Sequence, residues 1–413
     1  MGGARAWSML VAMARRQVRF RPPAVEMDPA VRWMLRRAFG PAGAAAPAAG
    51  GAAAVAACRR FEVAERVAAR HTRERLAAEL GEAAAGLARD RARAVASGMR
   101  IQALAEQVAE AAARLGLPVA FLKGAALELR GMLTAGSRSA SDLDVLPPAG
   151  SAAALQQALL GVGFRASPLA PQEHQLATLE SPQGIVEVHH VVLGVRVRGR
   201  RSATLDDLDR DALLVGLPQL PGRVAAPATA VLAAHALVHG IAQHGWAPIS
   251  YSLLKMVADL LDLGLAGPDG EALAARAAGW VAADLVAAEV EAARRLVTAL
   301  AAGDELAGWG DSPAGESVLL RHVLAGRLDE SYERSLRLSQ FRRQPTDRPA
   351  AVRLAGALAA TVWLNRAQVD AIYGPPRHRL GYLGRRLGRP FDLLARLGRY
   401  GLSAWRLRRR RTA

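Results

Sequence analysis

The spacing of apolar positions changes several times along the chain, and each change marks an element. From 62 to about 115, alanine, valine and leucine recur every three or four residues with charged residues between them. That pattern predicts helix with one apolar face. Gly116 and Pro118 end it. Residues 118–122, PVAFL, form a short continuous apolar run and read as a buried strand. Lys123-Gly124 and a short helical stretch follow. A polar turn at 134–141 then leads into a second strand, DLDVL, at 142–146. Ser151 is expected to cap a helix to about Leu160. Residues 174–180 and 185–192, joined by Ser181-Pro182-Gln183-Gly184, predict a hairpin. After Pro227 helical spacing returns until about Tyr373. Upstream, 5–38 reads as helix broken at Pro22-Pro23, and 40–57 as low-complexity linker. The chain is therefore expected to be α+β and helix-rich, with a small sheet unit in its middle. The expected segments are a basic N-terminal helical segment (1–39), an Ala/Gly/Pro linker (40–58), a helical region (59–97), the sheet-bearing core (98–222), a C-terminal helical domain (223–375) and a basic amphipathic tail (376–413).

Composition supports this and narrows the function. The chain has 413 residues, 51% of them hydrophobic and 5% aromatic, which is enough for a large core and excludes global disorder. One cysteine, Cys58, excludes an internal disulfide and a cysteine metal cluster, and fits a reducing compartment. The longest uncharged stretch, 40–58, is alanine, glycine and proline, so no segment reads as a spanning helix. The N-terminal apolar run is short and followed by two arginines, as in a cytoplasmic helix rather than a signal peptide. The expected location is the cytoplasm, with room for docking at the inner membrane face.

Charge sharpens the picture. The net charge of +17 sits at the ends: residues 1–40 carry eight arginines and two acids, and 377–413 carry twelve arginines and one acid. The body between them is neutral, which argues against a basic groove that threads nucleic acid. The tail mixes its arginines with Leu383, Leu387, Phe391, Leu394 and Trp405 at nearly helical spacing, interrupted by glycines and by Pro390. An anionic membrane surface or an acidic protein would suit it, nucleic acid less so. Of 54 basic residues, two are lysine, Lys123 and Lys255. Where arginine is the default, a retained Lys123 indicates a place for a compact ammonium rather than a broad fork.

The candidate chemistry lies on the strands. In Asp142-Leu143-Asp144 the acids are two apart, so on a strand both point to one face. Two such charges call for a cation, and a hard divalent ion with oxygen ligands is the natural one. Glu187 sits alone in another apolar strand; beside the first it would complete a three-carboxylate face suited to in-line phosphoryl or nucleotidyl transfer. His189 and His190 are adjacent, so on a strand at most one faces that site. His235, His239 and His244 share a predicted helix, but no HExxH pattern or further ligand accompanies them, so they read as core histidines near a cleft. No nucleophile elbow supports a serine hydrolase.

Three segments, Phe121-Leu122-Lys123-Gly124-Ala125-Ala126-Leu127, Arg138-Ser139-Ala140-Ser141-Asp142-Leu143-Asp144-Val145-Leu146 and Val186-Glu187-Val188-His189, together resemble a family of largely uncharacterised bacterial nucleotidyltransferases. That family belongs to the DNA polymerase β-like superfamily. The resemblance extends over about 60–265, through His71 and Arg91-Ala92-Arg93 upstream and His235, His239, Trp246 and Asp259 downstream. It implies a small mixed-sheet nucleotidyltransferase core flanked by helical regions. It implies Asp142 and Asp144 as ligands of Mg²⁺ or Mn²⁺, with Glu187 as third carboxylate, ligand or base. It further implies that Lys123, Gly124, Arg138 and Ser141 bind the NTP, with His189 orienting Glu187 or touching the nucleotide. The chain departs from the family at His190, where an aromatic is usual, and at Pro147-Pro148. The activity expected is transfer of NMP from an NTP to a small-molecule, peptide or protein acceptor. The rivals are a non-catalytic binding subunit of the same shape, docked by its tail, and an RNA-modifying or toxin-type nucleotidyltransferase.

Overall fold

The computed structural model describes residues 28–41, 50–167, 174–200, 202–243, 253–280, 297–303, 369 and 381–391. The helix expected over 5–27, most of the helical stretch expected after 280, and the remainder of the tail lie outside the described residues. At the centre is a seven-stranded mixed sheet. In chain order its strands are β1 (Val119–Phe121), β2 (Asp142–Leu146), β3 (Arg165–Ala166), β4 (Leu179–Ser181), β5 (Gly184–Val188), β6 (Leu214–Gly216) and β7 (Val224–Pro227), and in space they run β3-β4-β5-β2-β1-β7-β6. β2 lies parallel to β5 and antiparallel to β1, and β1 lies parallel to β7. Its three central strands are the apolar runs of the sequence, and Phe121, Leu143, Val145, Val186 and Val188 are completely buried. The expected hairpin is present but short: β4 and β5 pair through the turn at Pro182-Gln183, and only Gln175 bridges to His189 ahead of it.

Helices cover the sheet. In chain order they are α1 (Pro29–Ala38), α2 (Gly51–Arg60), α3 (Ala64–Arg70), α4 (Arg73–Leu80), α5 (Ala84–Arg114), α6 (Lys123–Leu129), α7 (Ala152–Gly161), α8 (Leu205–Arg210), α9 (Thr229–Leu237), α10 (Leu253–Asp262) and α11 (Gly270–Trp280). α5 spans about 46 Å at 1.5 Å per residue. Its stripe of Leu87, Ala94, Ile101, Leu104, Ala105, Val108 and Ala112 is buried, at the three- and four-residue spacing of a helix laid on a sheet. The expected boundary between 97 and 98 falls inside this helix. One apolar cluster runs continuously from Ala30 through the strands to Leu300.

Three expectations are corrected here. The segment expected as linker to 58 is helical from Gly51, with Ala54, Val55, Ala57 and Cys58 buried. Alanine is the strongest helix former, and its small side chain lets α2 pack closely against its neighbours. The stretch expected to be helical over 62–115 is divided into three helices. His71 turns extended, Thr72 Oγ1 accepts the amide of Arg75 to restart the chain as α4, and Gly81, at φ +58°, stops it again. Ser151 stands at the start of α7, but its side chain makes no capping bond.

Long-range ion pairs lock the helices. Arg66 on α3 makes two bonds, of 2.9 and 2.8 Å, to Asp262 on α10. Glu79 on α4 accepts from Trp33 Nε1 and Arg37 on α1. In the tail, residues 381–391 are helical through Pro390, which therefore does not end that helix as expected, and Leu383, Leu387 and Phe391 stand exposed along it.

Candidate active site

Register places the acids. β2 and β5 run parallel with Asp144 opposite Glu187 and Asp142 opposite Ile185. Because strand side chains alternate, Asp142, Asp144 and Glu187 share one face, while Leu143, Val145, Val186 and Val188 fill the core behind. His189 follows directly on β5, two residues beyond Glu187 and so on the same face, its amide donating to Val145 O at 2.8 Å. His190 points away and is exposed. One histidine faces the site, as alternation requires.

Lys123 reaches the same spot from β1. Leu122 N extends the β1–β2 ladder by donating to Asp144 O at 3.0 Å. The next residue, Lys123, opens α6 with φ +49°, a conformation that a non-glycine residue adopts at a cost. Its ammonium donates to Asp144 Oδ1 at 2.7 Å and stands 4.0 Å from Glu187 Oε2. His189 Nε2 lies 2.7 Å from the same Asp144 oxygen and 3.7 Å from Glu187 Oε2. Ligand atoms of Asp144, Glu187 and His189 all fall within 4.8 Å of one another, so this group could hold a metal ion.

The electrostatics follow from that packing. Burial works to raise the Asp144 carboxyl, but the Lys123 charge and the bond from His189 outweigh it and hold Asp144 ionised, below its ordinary range. Glu187 behaves likewise: burial opposes its charge, and the nearby His189 and Lys123 lower it. Asp142 goes the other way. Burial and the negative charges of Asp144 and Glu187 raise it, and Lys123 compensates only in part. Of the three acids, Asp142 is the one that gains most from a further cation.

Two more histidines enclose the group. The His174 ring lies 5.3 Å, centroid to centroid, from that of His189. Burial and the charges of His189 and Lys123 push His174 down to about 3. His235, on α9, is 3% exposed and is likewise pushed down to about 3 by burial and Lys123. Its Nδ1 is buried with no hydrogen-bond partner among the described residues. α9 runs on into a π-helical turn, Val238–Gln243, that carries His239, whose ring meets that of His235 edge-on at 6.3 Å. Such turns recur at functional sites. His244 lies outside the described residues.

The residues expected at the phosphates are placed as follows. Arg138 makes bonds of 2.8 and 3.2 Å to Asp259 on α10. Its guanidinium lies against Gly124, where a Cβ would come within 1.9 Å of it, so the missing side chain makes room for Arg138. Ser141 is exposed and donates to Asp142 Oδ1 at 3.1 Å. Sequence reasoning did not single out His174 or assign Asp259 a task. Asp259 did leave a signal: an acid inside the apolar run Leu253–Asp262 has to be satisfied by something. His174 precedes the hairpin and left none.

A family model described as "Uncharacterised nucleotidyltransferase" matches residues 49–298. No curated protein and no solved structure matches the chain.

Proposed function

The chain belongs to the uncharacterised nucleotidyltransferase family, and from that premise we propose that it transfers NMP from an NTP to a hydroxyl or phosphate of a small-molecule, peptide or protein acceptor, using a divalent ion. The observation that carries this reading is the pairing of Asp144 with Glu187 across parallel strands, with Asp142 one step along the same face. The residues fit a metal. Asp144, Glu187 and His189 each offer a ligand atom, all within 4.8 Å of one another, and Asp142 stands on the same strand face as Asp144. Asp142, Asp144 and Glu187 would hold Mg²⁺ or Mn²⁺, and the ion would supply the charge that stabilises the transferring phosphoryl group.

The protein's own groups supply the rest. Lys123 and Arg138 offer cationic donors beside the acids for the triphosphate. Asp142, raised by burial and by its acidic neighbours, would be relieved of the second part when a cation is bound beside it. Glu187 turns Oε2 toward His189 and Lys123. Held ionised, it can accept the acceptor hydroxyl's proton at Oε1. The neutral body favours a small or proteinaceous acceptor over a nucleic-acid template.

Calorimetry with each NTP and Mg²⁺ or Mn²⁺ tests the reading, on wild type and on Asp142→Ala/Asp144→Ala. Metal-dependent nucleotide binding that the double variant loses by a hundredfold or more is the expected result. Absence of binding by folded wild type with all nucleotides and both metals overturns it.

A further inference from the structure

We infer that Lys123 is a resident cation of the acid pair, which a divalent ion displaces and which then passes to the nucleotide phosphates. The inference rests on the nucleotidyltransferase reading above and assigns the order of events at that site.

The Lys123 ammonium occupies the position a metal would want. It donates to Asp144 Oδ1 at 2.7 Å and faces Glu187 Oε2 at 4.0 Å. The same Asp144 oxygen also receives His189 Nε2 at 2.7 Å, so this side of the carboxylate is already crowded. An ion bound by Asp144 and Glu187 would also set two positive charges against the ammonium, and that repulsion is strong in so buried a place. Lysine and metal therefore compete for the space between the Asp144 and Glu187 carboxylates.

Which of them yields follows from anchoring. Asp144 is held by the β1–β2 and β2–β5 ladders and its side chain is 3% exposed, whereas the Lys123 side chain is 18% exposed on a flexible four-carbon stem. The lysine moves. Beside it, at Gly124, lies the Arg138 guanidinium, fixed by Asp259. A displaced ammonium thus joins a second cation at the edge of the acid pair, where a polyphosphate can be met by both. Two further facts fit. Residue 123 keeps a left-handed backbone without being glycine, so its side chain is retained against a conformational cost. It is also one of two lysines among 54 basic residues. A guanidinium fork would grip the carboxylate through two N–H groups and not let go; an ammonium can leave.

The test measures Mn²⁺ binding to the full chain by titration with spin-resonance detection of free ion, first without nucleotide and then with a non-hydrolysable ATP analogue. Lys123→Met, with its fold checked by circular dichroism, is expected to bind Mn²⁺ alone at least tenfold more tightly than wild type. It is also expected to bind the analogue at least tenfold more weakly, with less mutual enhancement between the two ligands. Lys123→Arg is expected to bind Mn²⁺ at least tenfold more weakly than wild type. Equal or weaker Mn²⁺ binding by folded Lys123→Met overturns the inference while leaving the nucleotidyltransferase reading in place. So does wild-type affinity in Lys123→Arg, which also serves if the methionine variant does not fold. Absence of Mn²⁺ binding in all three proteins, with and without the analogue, overturns both.

Discussion

At the scale of single residues, Gly124 shows how closely the site is built. A Cβ there would meet Arg138 Nη1 at 1.9 Å and its Cζ at 2.4 Å. A guanidinium can swing away, but this one is bonded twice to Asp259. Gly124→Ala is therefore expected to push Arg138 off Asp259 and to cost about 1–3 kcal/mol, as overpacking does. Thermal unfolding of the variant beside wild type measures it. The acids themselves were legible in the sequence, because a strand of period two leaves Asp142 and Asp144 one face to share, and Glu187 is the one acid on another apolar strand. The partners of Lys123 and Arg138 were not legible. A lysine beside an acid and a lysine beside a phosphate look alike in a sequence, and Asp259 lies 121 residues from Arg138.

At the scale of elements, the site depends on a helix it does not contain. α10 presents Asp259 to Arg138 and, one turn on, Asp262 to Arg66. The Arg66 and Asp262 side chains are 8% and 18% exposed, so removing one partner strands a charge away from water. Arg66→Ala is expected to lose about 3 kcal/mol in denaturant unfolding, near the lower end for a broken buried pair. It is also expected to loosen Arg138, which nucleotide affinity would register. The strands and the long helix could be read from their periods. The ends of helices could not be read from period alone: the break at 71–72 and the stop at Gly81 depend on one hydroxyl and one left-handed backbone. The helix at 51–60 was missed because alanine was taken for low complexity when it was packing.

At the scale of the whole molecule, pH acts on the buried histidines. His174 and His235 are held near 3 in the fold, against about 6.5 in an unfolded chain. As pH falls from about 6.5 toward 3, the unfolded chain takes up protons that the fold refuses, so stability present above that window is lost within it. His189 is raised, because its bond to Asp144 and the nearby Glu187 carboxylate outweigh burial, and it works in the opposite direction. Burial lowers His71 and His190 as well, so the depressed histidines outnumber the raised one and the net expectation is a less stable protein at pH 5 than at pH 7.5, with His174 and His235 each costing roughly 2 kcal/mol there. Urea unfolding at the two values checks the sign. His235→Phe should shrink the difference by about that amount, and an unchanged difference would contradict the assignment. The charge of the chain was legible as a distribution, a neutral body with basic ends, and the described residues from Ala30 to Leu300 share a single packed cluster.

The parallel pairing of β2 with β5 divides the site unequally. Asp144 belongs to the middle of the sheet, with β5 paired on one side and the end of the β1 ladder on the other. Glu187 and His189 arrive on the last long strand before a margin made of three residues of β4 and two of β3. Margins open more readily than centres. A brief unzipping of that flank would carry off the third acid and its histidine while the rest of the protein stays folded. The expected outcome is faster amide exchange along β5 than along β2, which exchange measured on the two strands checks.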